Sequence, residues 1–297
     1  MNKPLIVGLG EIVWDCLPQG RKLGGAPVNF AYHCARLGAE SYPVSAVGKD
    51  ALGEETLAAC RSYGLDTSYI QRSELPTSRV LVSLDAAGVP CYEIVEGVAW
   101  DALSADPGVL DLVSRADAIC WGSLAQRSEI SRRSVQSVLA AAGPSCLKVF
   151  DINLRQHFYS RDVIESSLRF ADILKLNEDE LPVVASMFAF GPANPTDPAD
   201  AIAGIIRLFG LKYLIYTCGA AFSEVWSPEG LISHMPTPAV EVVDTVGAGD
   251  SFTAAFVTCI LAGKSPIEAH QKAVQVSAWI CTRSGAINPL PSESVLK

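Results

Sequence analysis

The 297-residue chain is long enough for one large α/β domain, or one domain with a small appendage, and its 49% hydrophobic content gives ample material for a core. Charged residues make up 19% and the formal net charge is -9, with no block of like charge and no basic stripe, which argues against nucleic acid and anionic membrane as partners. The apolar stretch after Met1-Asn2-Lys3-Pro4 is stopped by Glu11, too short for a secretory signal, and no later stretch reaches the roughly 18 uninterrupted apolar residues of a membrane span. Nine cysteines stand singly without Cys-x-x-Cys, and four histidines lack metal spacing. Buried thiols in a reducing compartment follow, so the expectation is a soluble cytoplasmic protein.

Short β-branched runs alternate with amphipathic segments. Residues 5–8 predict a strand, 27–37 a helix, 44–47 a strand and 52–63 a helix. The second half repeats the rhythm, with strands at 118–121, 147–152, 173–176 and 213–217 and helices at 128–142 and 163–170. This alternation predicts an α/β fold with a mostly parallel central sheet and helices on both faces.

Residues 12–23 and 79–96 break the rhythm. The second contains Val80-Leu81-Val82-Ser83-Leu84, an Ala-Ala-Gly turn and Pro90-Cys91-Tyr92-Glu93-Ile94-Val95, which predicts a β-hairpin. With the first segment it would form a small separate sheet acting as a lid; an ordinary edge hairpin is the alternative. Residues 191–198, GPANPTDP, read as a loop between two helices.

Two glycine patterns mislead. Gly8-Leu9-Gly10 follows a strand, but a dinucleotide fingerprint needs a glycine at position 13, where Val13 stands. Gly263-Lys264-Ser265 lacks the earlier glycine of a phosphate loop, since Thr258 occupies that place. Gly263 instead ends one helix, and Ser265-Pro266-Ile267-Glu268 starts the next with a capping box.

Three stretches could carry chemistry. In Asp244-Thr245-Val246-Gly247-Ala248-Gly249-Asp250-Ser251-Phe252 a glycine-rich turn feeds a helix, marked by Phe252, Ala255, Phe256, Cys259 and Ile260 at three- and four-residue spacing. Unpaired N–H groups at such a helix start hold negative charge without a side chain. Asp250 would repel a resting phosphate there, so it suits a base that deprotonates an attacking hydroxyl, or else a carboxylate that caps the helix. Gly24-Gly25-Ala26-Pro27-Val28-Asn29 lets backbone approach a ligand and supplies an amide that both donates and accepts; a plain turn is the alternative. Asp151-Ile152-Asn153-Leu154-Arg155 and Lys175-Leu176-Asn177-Glu178-Asp179-Glu180 stand at predicted strand ends, where ligands of open α/β sheets bind, although capping would also explain them. Asn177 and Glu180, three apart and read as sharing a helical face, could orient hydrated Mg2+.

Together these stretches resemble the ribokinase-like (PfkB) family of carbohydrate kinases, over about residues 8–291. DTVGAGDSF is similar to its C-terminal signature and GGAPVNFAYHCARLG with VGKDALG to its N-terminal one, while DINLR and LNEDEL look like further family motifs. The resemblance implies transfer of the ATP γ-phosphate to a sugar hydroxyl, with Asp250 as base and the N–H groups of Gly247, Ala248 and Gly249 as anion hole. It implies that Asp15, Gly24, Gly25, Asn29 and Arg155 bind sugar. It further implies that Asn177, Thr217 and Gly219 bind nucleotide, that Glu180 acts indirectly on Mg2+, and that Asp244 serves a K+ site. Ala220-Ala221-Phe222 depart from the family, which often has a glycine there. One ribokinase-like domain over 1–297 with lid segments at about 12–23 and 79–97 is expected, with D-fructose as first substrate because GGAPVNFA and DINLR look like fructokinase versions. Another sugar, a sugar acid such as 2-keto-3-deoxygluconate, ribose or a nucleoside is the alternative, as is a non-catalytic sugar sensor. Lid side chains such as Glu93, Glu96, Trp100 and Asp101 would set sugar choice. Apolar faces at Val80, Val82 and Leu84 would pair two lids into a homodimer.

Overall fold

The computed structural model of the chain describes residues 3–17, 20–84, 90–190 and 198–291. The chain begins with β1 (Leu5–Leu9), β2 (Val13–Leu17), β3 (Gly20–Gly24), α1 (Ala26–Arg36), β4 (Glu40–Gly48), α2 (Ala51–Ser62) and β5 (Ile70–Ser73). It continues through β6 (Arg79–Leu84), β7 (Pro90–Ile94), α3 (Pro107–Ser114), β8 (Ala118–Trp121), α4 (Glu129–Ala141), β9 (Leu147–Asp151), α5 (Arg161–Leu168) and β10 (Ile173–Asn177). The last third contains α6 (Glu180–Met187), α7 (Ala199–Phe209), β11 (Tyr213–Cys218), β12 (Phe222–Ser227), β13 (Gly230–Pro236), α8 (Ala248–Leu261) and α9 (Pro266–Cys281).

Among the described residues a nine-stranded sheet has the order β13-β12-β11-β10-β9-β8-β1-β4-β5. Every pair from β11 to β5 is parallel, and β12 and β13 add an antiparallel edge. Helices cover both faces. Val109, Leu112, Val135, Leu139, Ile164, Leu181, Ile202 and Ile206, from α3 to α7, pack on one face with Val7, Trp121 and Phe150. Phe30, Phe252, Phe256, Ala269 and Val276, from α1, α8 and α9, pack on the other with Ile6, Cys120 and Val149. Strands buried on both faces read as unbroken apolar runs, and the predicted ones fall within a few residues of their observed bounds.

The edge hairpin lay outside the predicted rhythm for a physical reason. Ser223, Glu224 and Ser233 are buried, and His270 joins the two strands through Ser223 Oγ at 2.8 Å and Ser233 Oγ at 2.8 Å. Polar residues on a buried face erase the apolar alternation that marks a strand.

Two positions of the N-terminal signature are structural. Asp50 caps α2 by accepting from Gly53 N–H at 2.7 Å, and it also takes Thr77 N–H at 2.8 Å and Thr77 Oγ1 at 2.7 Å. Ser265 and Glu268 form the expected capping box at α9, and Gly263 ends α8 with φ +77.

The second sheet is separate, as expected, with the order β3-β2-β6-β7. β2 pairs antiparallel with β3 and parallel with β6, and β6 and β7 form a hairpin whose Ala-Ala-Gly turn lies outside the described residues, as does nearly all of GPANPTDP. Val80 is not an exposed apolar face: it is 7% exposed and packs with Val13, Ile94, Val98 and Trp100. Leu81, its neighbour on the opposite face of the strand, is exposed, and the side chains of Val82 and Leu84 lie outside the described residues. Trp100 and Asp101 are likewise core groups rather than groups that face a sugar. The buried Arg127 guanidinium lies 4.0 Å over the Trp100 ring, holds both Asp101 oxygens at 2.8 Å, and donates to Val95 O at 2.6 Å where β7 ends.

Candidate active site

Strand order sets where a ligand can lie. From β1 the chain winds outward to β4 and β5, and later to β8, β9, β10 and β11 on the other side, so the reversal falls between β1 and β8. A crevice opens beyond the C-terminal ends of parallel strands at such a point. Ala26, Pro27, Phe30, Cys120, Trp121, Gly122, Asp151 and Asp250 line a small pocket there.

Asp250 sits in the first turn of α8, behind Gly247. Gly247 has φ +79, and a Cβ on it would lie 2.4 Å from the Ala286 Cβ, so no other residue fits this turn unstrained. Ala248 N–H donates to Thr245 O at 3.2 Å, which closes the turn. Gly249 N–H belongs to the helix start, beyond the reach of any carbonyl of the helix. Beneath Gly249 lies Lys175, whose Nζ would be 3.1 Å from a Cβ at that position.

Lys175 and Asp151 are register partners on β10 and β9 and form a buried ion pair at 3.0 Å, and Thr253 Oγ1 donates to Asp151 at 2.8 Å. Burial works against the Lys175 charge, yet Asp151 and Glu180 hold its ammonium above the usual lysine value. Desolvation and the Asp151 carboxylate push the Asp250 carboxyl up to about 6, against the Asn29 amide, Lys175 and Arg155. Asn29 Nδ2 donates to Asp250 Oδ2 at 2.8 Å, while its own Oδ1 is buried without a protein partner.

Gly25 enters α1 with φ +114, and a Cβ there would lie 2.5 Å from Glu11 O, so the di-glycine turn presses on the loop after β1. Asp15 projects from β2 toward Gly24, with its Oδ2 3.3 Å from where a Gly24 Cβ would be. Burial raises the Asp15 carboxyl, while Lys22 and Arg155 oppose the rise. Asn153 adopts φ 49, which asparagine tolerates, and its Oδ1 accepts from Arg155 Nη2 at 2.6 Å.

A second group gathers at the ends of β10 and β11, where Asn177 and Thr217 are register partners. Gly219 follows with φ 43, and Ala221 N–H donates to Cys218 O at 2.8 Å, so the Ala220-Ala221 departure is a tight turn into β12. Asn177 and Glu180 do not share a helical face. Asn177 ends a strand, and its Oδ1 accepts from Asp179 N–H and Glu180 N–H. Glu180 is 6% exposed, with one oxygen taking Asn177 N–H and the other Leu154 N–H, each at 2.9 Å. Among the described residues no group of three or more His, Cys, Asp or Glu could hold a metal. Any divalent ion would therefore rest mainly on ligand phosphates and water.

Sequence reasoning passed over two residues. Glu11 is 5% exposed, its Oε2 lacks a partner, and burial pushes its carboxyl up to about 7 despite Arg155. His33 is fully buried, burial lowers it to about 4, and its neutral ring meets Ala286 O at 2.9 Å, beside Gly247. The signal for His33 was its spacing: four residues beyond Asn29, it shares that helix face.

A carboxylate in the first turn of a helix, lining the crevice of a doubly covered sheet, is the arrangement expected of a phosphoryl-transfer enzyme. Residues 12–293 match the pfkB family carbohydrate kinase, and the chain belongs to that family of sugar kinases. It is 30% identical over 310 residues to a fructokinase of Klebsiella pneumoniae, covering 97% of each chain. Among solved structures, fructokinase with bound ATP from Xylella fastidiosa superposes with TM-score 0.83 at 23% identity, covering 98% of this chain and 96% of that one. A fructokinase double mutant from Vibrio cholerae O395, in a form with fructose, ADP and potassium ion bound, superposes with TM-score 0.81 at 22% identity, covering 99% and 97%. These two likenesses establish the fold.

Proposed function

We propose that this sugar kinase is ATP-dependent and acts on D-fructose, giving fructose 6-phosphate. The observation that carries the reading is Asp250, held by Asn29 in the first turn of α8 at the mouth of the strand-end crevice. Ionised Asp250 takes the proton of the attacking hydroxyl, and the helix-start N–H groups around Gly247 and Gly249 hold charge as it develops on the phosphoryl group. Asn29 Oδ1 is the acceptor left open for a sugar hydroxyl. Asp15, Gly24, Gly25 and Arg155 complete the sugar side.

Asn177, Thr217 and Gly219 form the nucleotide side, and the exposed Val242, Val243 and Val246 offer an apolar surface next to the turn. Mg2+ would supply neutralisation of the phosphate charges when bound, and Glu180 would act on it indirectly, by holding the Asn177 and Leu154 N–H groups at the strand ends. A monovalent cation at Asp244 is the part of the cofactor set that the geometry supports least, because three donors already meet that carboxylate.

The test is a coupled ADP-release assay across fructose, ribose, 2-keto-3-deoxygluconate and nucleosides. Turnover of another sugar without fructose rejects the substrate and leaves the class intact. The small sheet is read as a lid over one domain, and exposed Leu81 on it as the surface for a dimer; a monomeric mass in sedimentation at micromolar concentration removes the dimer. Cytoplasmic residence is part of the same reading, in keeping with eight described cysteines that form no disulfide among the described residues. No helix of the described residues is long and apolar enough to cross a membrane.

A further inference from the structure

β3 carries a lysine to the place where the family resemblance implies potassium. Lys22 Nζ lies 2.8 Å from Ser284 Oγ and 3.4 Å from Asp244 Oδ2. Val246 N–H donates to Asp244 Oδ1 at 3.1 Å, and Gly285 N–H donates to Oδ2 at 2.8 Å. Burial opposes the charge of Asp244, yet these N–H groups and the ammonium hold its carboxyl below the usual carboxylate value. The lysine stem runs past Gly285, its Cδ 3.6 Å from where a Cβ at that glycine would be.

A metal cation needs free oxygen lone pairs. Here both Asp244 oxygens already accept from N–H donors, and one of those donors, the Lys22 ammonium, carries a positive charge that would repel a second cation. The donor set therefore suits an ammonium better than an ion.

We propose that the Lys22 ammonium is a built-in replacement for the monovalent cation. It neutralises Asp244 and thereby fixes the turn that leads to Gly247, so the anion-holding loop keeps its working shape without potassium. Lys22 is a positioning residue, acting on the reaction through Asp244. It also joins the two halves of the site, since it lies opposite Asp15 in the β2–β3 register. The inference rests on the kinase reading of this loop.

The experiment uses the full chain as wild type, Lys22→Ala and Lys22→Arg. Each is melted without substrate in KCl, NaCl and choline chloride at equal ionic strength, and each is assayed for ADP release with ATP and fructose. The wild type and Lys22→Arg are expected to show the same Tm and rate in all three salts. Lys22→Ala is expected to lose about tenfold or more in kcat in choline chloride, the scale of losing one preorganised charge contact. KCl, but not choline, is expected to restore its rate and raise its Tm saturably, as a bound ligand does. A wild type whose Tm or rate climbs saturably with KCl overturns the proposal. So does a Lys22→Ala protein equal to wild type in every salt, or one whose loss no salt repairs. The wild-type arm decides by itself if Lys22→Ala does not fold, and the melting arm needs no turnover, so failure of the sugar assignment leaves it readable.

Discussion

Desolvation raises two carboxyls near the crevice, and their roles part. Asp250, pushed up to about 6, is ionised above that pH and protonated below it. As the proposed base Asp250 is competent only when ionised, so kcat/KM is expected to fall as pH drops through about 6, with the acid limb absent from Asp250→Asn. That variant should lose ~10²-fold or more in kcat while calorimetry still records sugar binding. Glu11 has its carboxyl raised from 4.5 to about 7, so its neutral form stabilises the fold below about 4.5 and this benefit fades as pH rises to about 7. Replacement by a neutral isostere removes a penalty of up to about 3 kcal/mol at alkaline pH. Glu11→Gln should therefore melt several degrees higher than wild type at pH 8 and no higher at pH 4, as read by circular dichroism.

Among elements, the turn into α8 is the most constrained. A Cβ at Gly247 meets Ala286 at 2.4 Å and must adopt φ +79, so Gly247→Ala should shift the loop and depress kcat while leaving the sheet intact. Steady-state kinetics beside far-UV spectra separate those effects. The strand-helix rhythm of the parallel strands was legible because β1, β8, β9 and β10 are buried on both faces and mostly apolar. The small sheet was legible as a break in that rhythm, but its inward face was not, since alternation alone does not say which side of β6 meets the core. Val80 packs with Trp100, whose ring faces Arg127, and these partners lie apart in the sequence. In the site, Asp250 and the glycines were legible from local spacing. Glu11 and His33 escaped because their roles come from contacts with α1 and with Ala286.

For the whole molecule, Arg127 is the rivet between the small sheet and the body. Its side chain is 4% exposed, and removing it strands the Asp101 carboxylate in the core. Loss of one partner of a buried pair costs about 3–5 kcal/mol. Arg127→Met should lower stability by that order in urea unfolding, and a second change, Asp101→Leu, should recover part of it, because the cost lies in the stranded charge. At temperatures where the variant stays folded, its kcat should stay near wild type if the rivet serves only assembly.

The loop that leads into α8 is shaped from behind by residues far along the chain. Cys281 O takes Asp244 N–H at 3.2 Å, Gly285 N–H holds the Asp244 carboxylate, and Ala286 wedges against Gly247 while His33 meets its carbonyl. The shape of the loop therefore depends on residues 281–286, far in sequence from the sugar-side groups Glu11 to Asn29, so a chain cut before residue 281 would keep those groups and lose the braces of the loop.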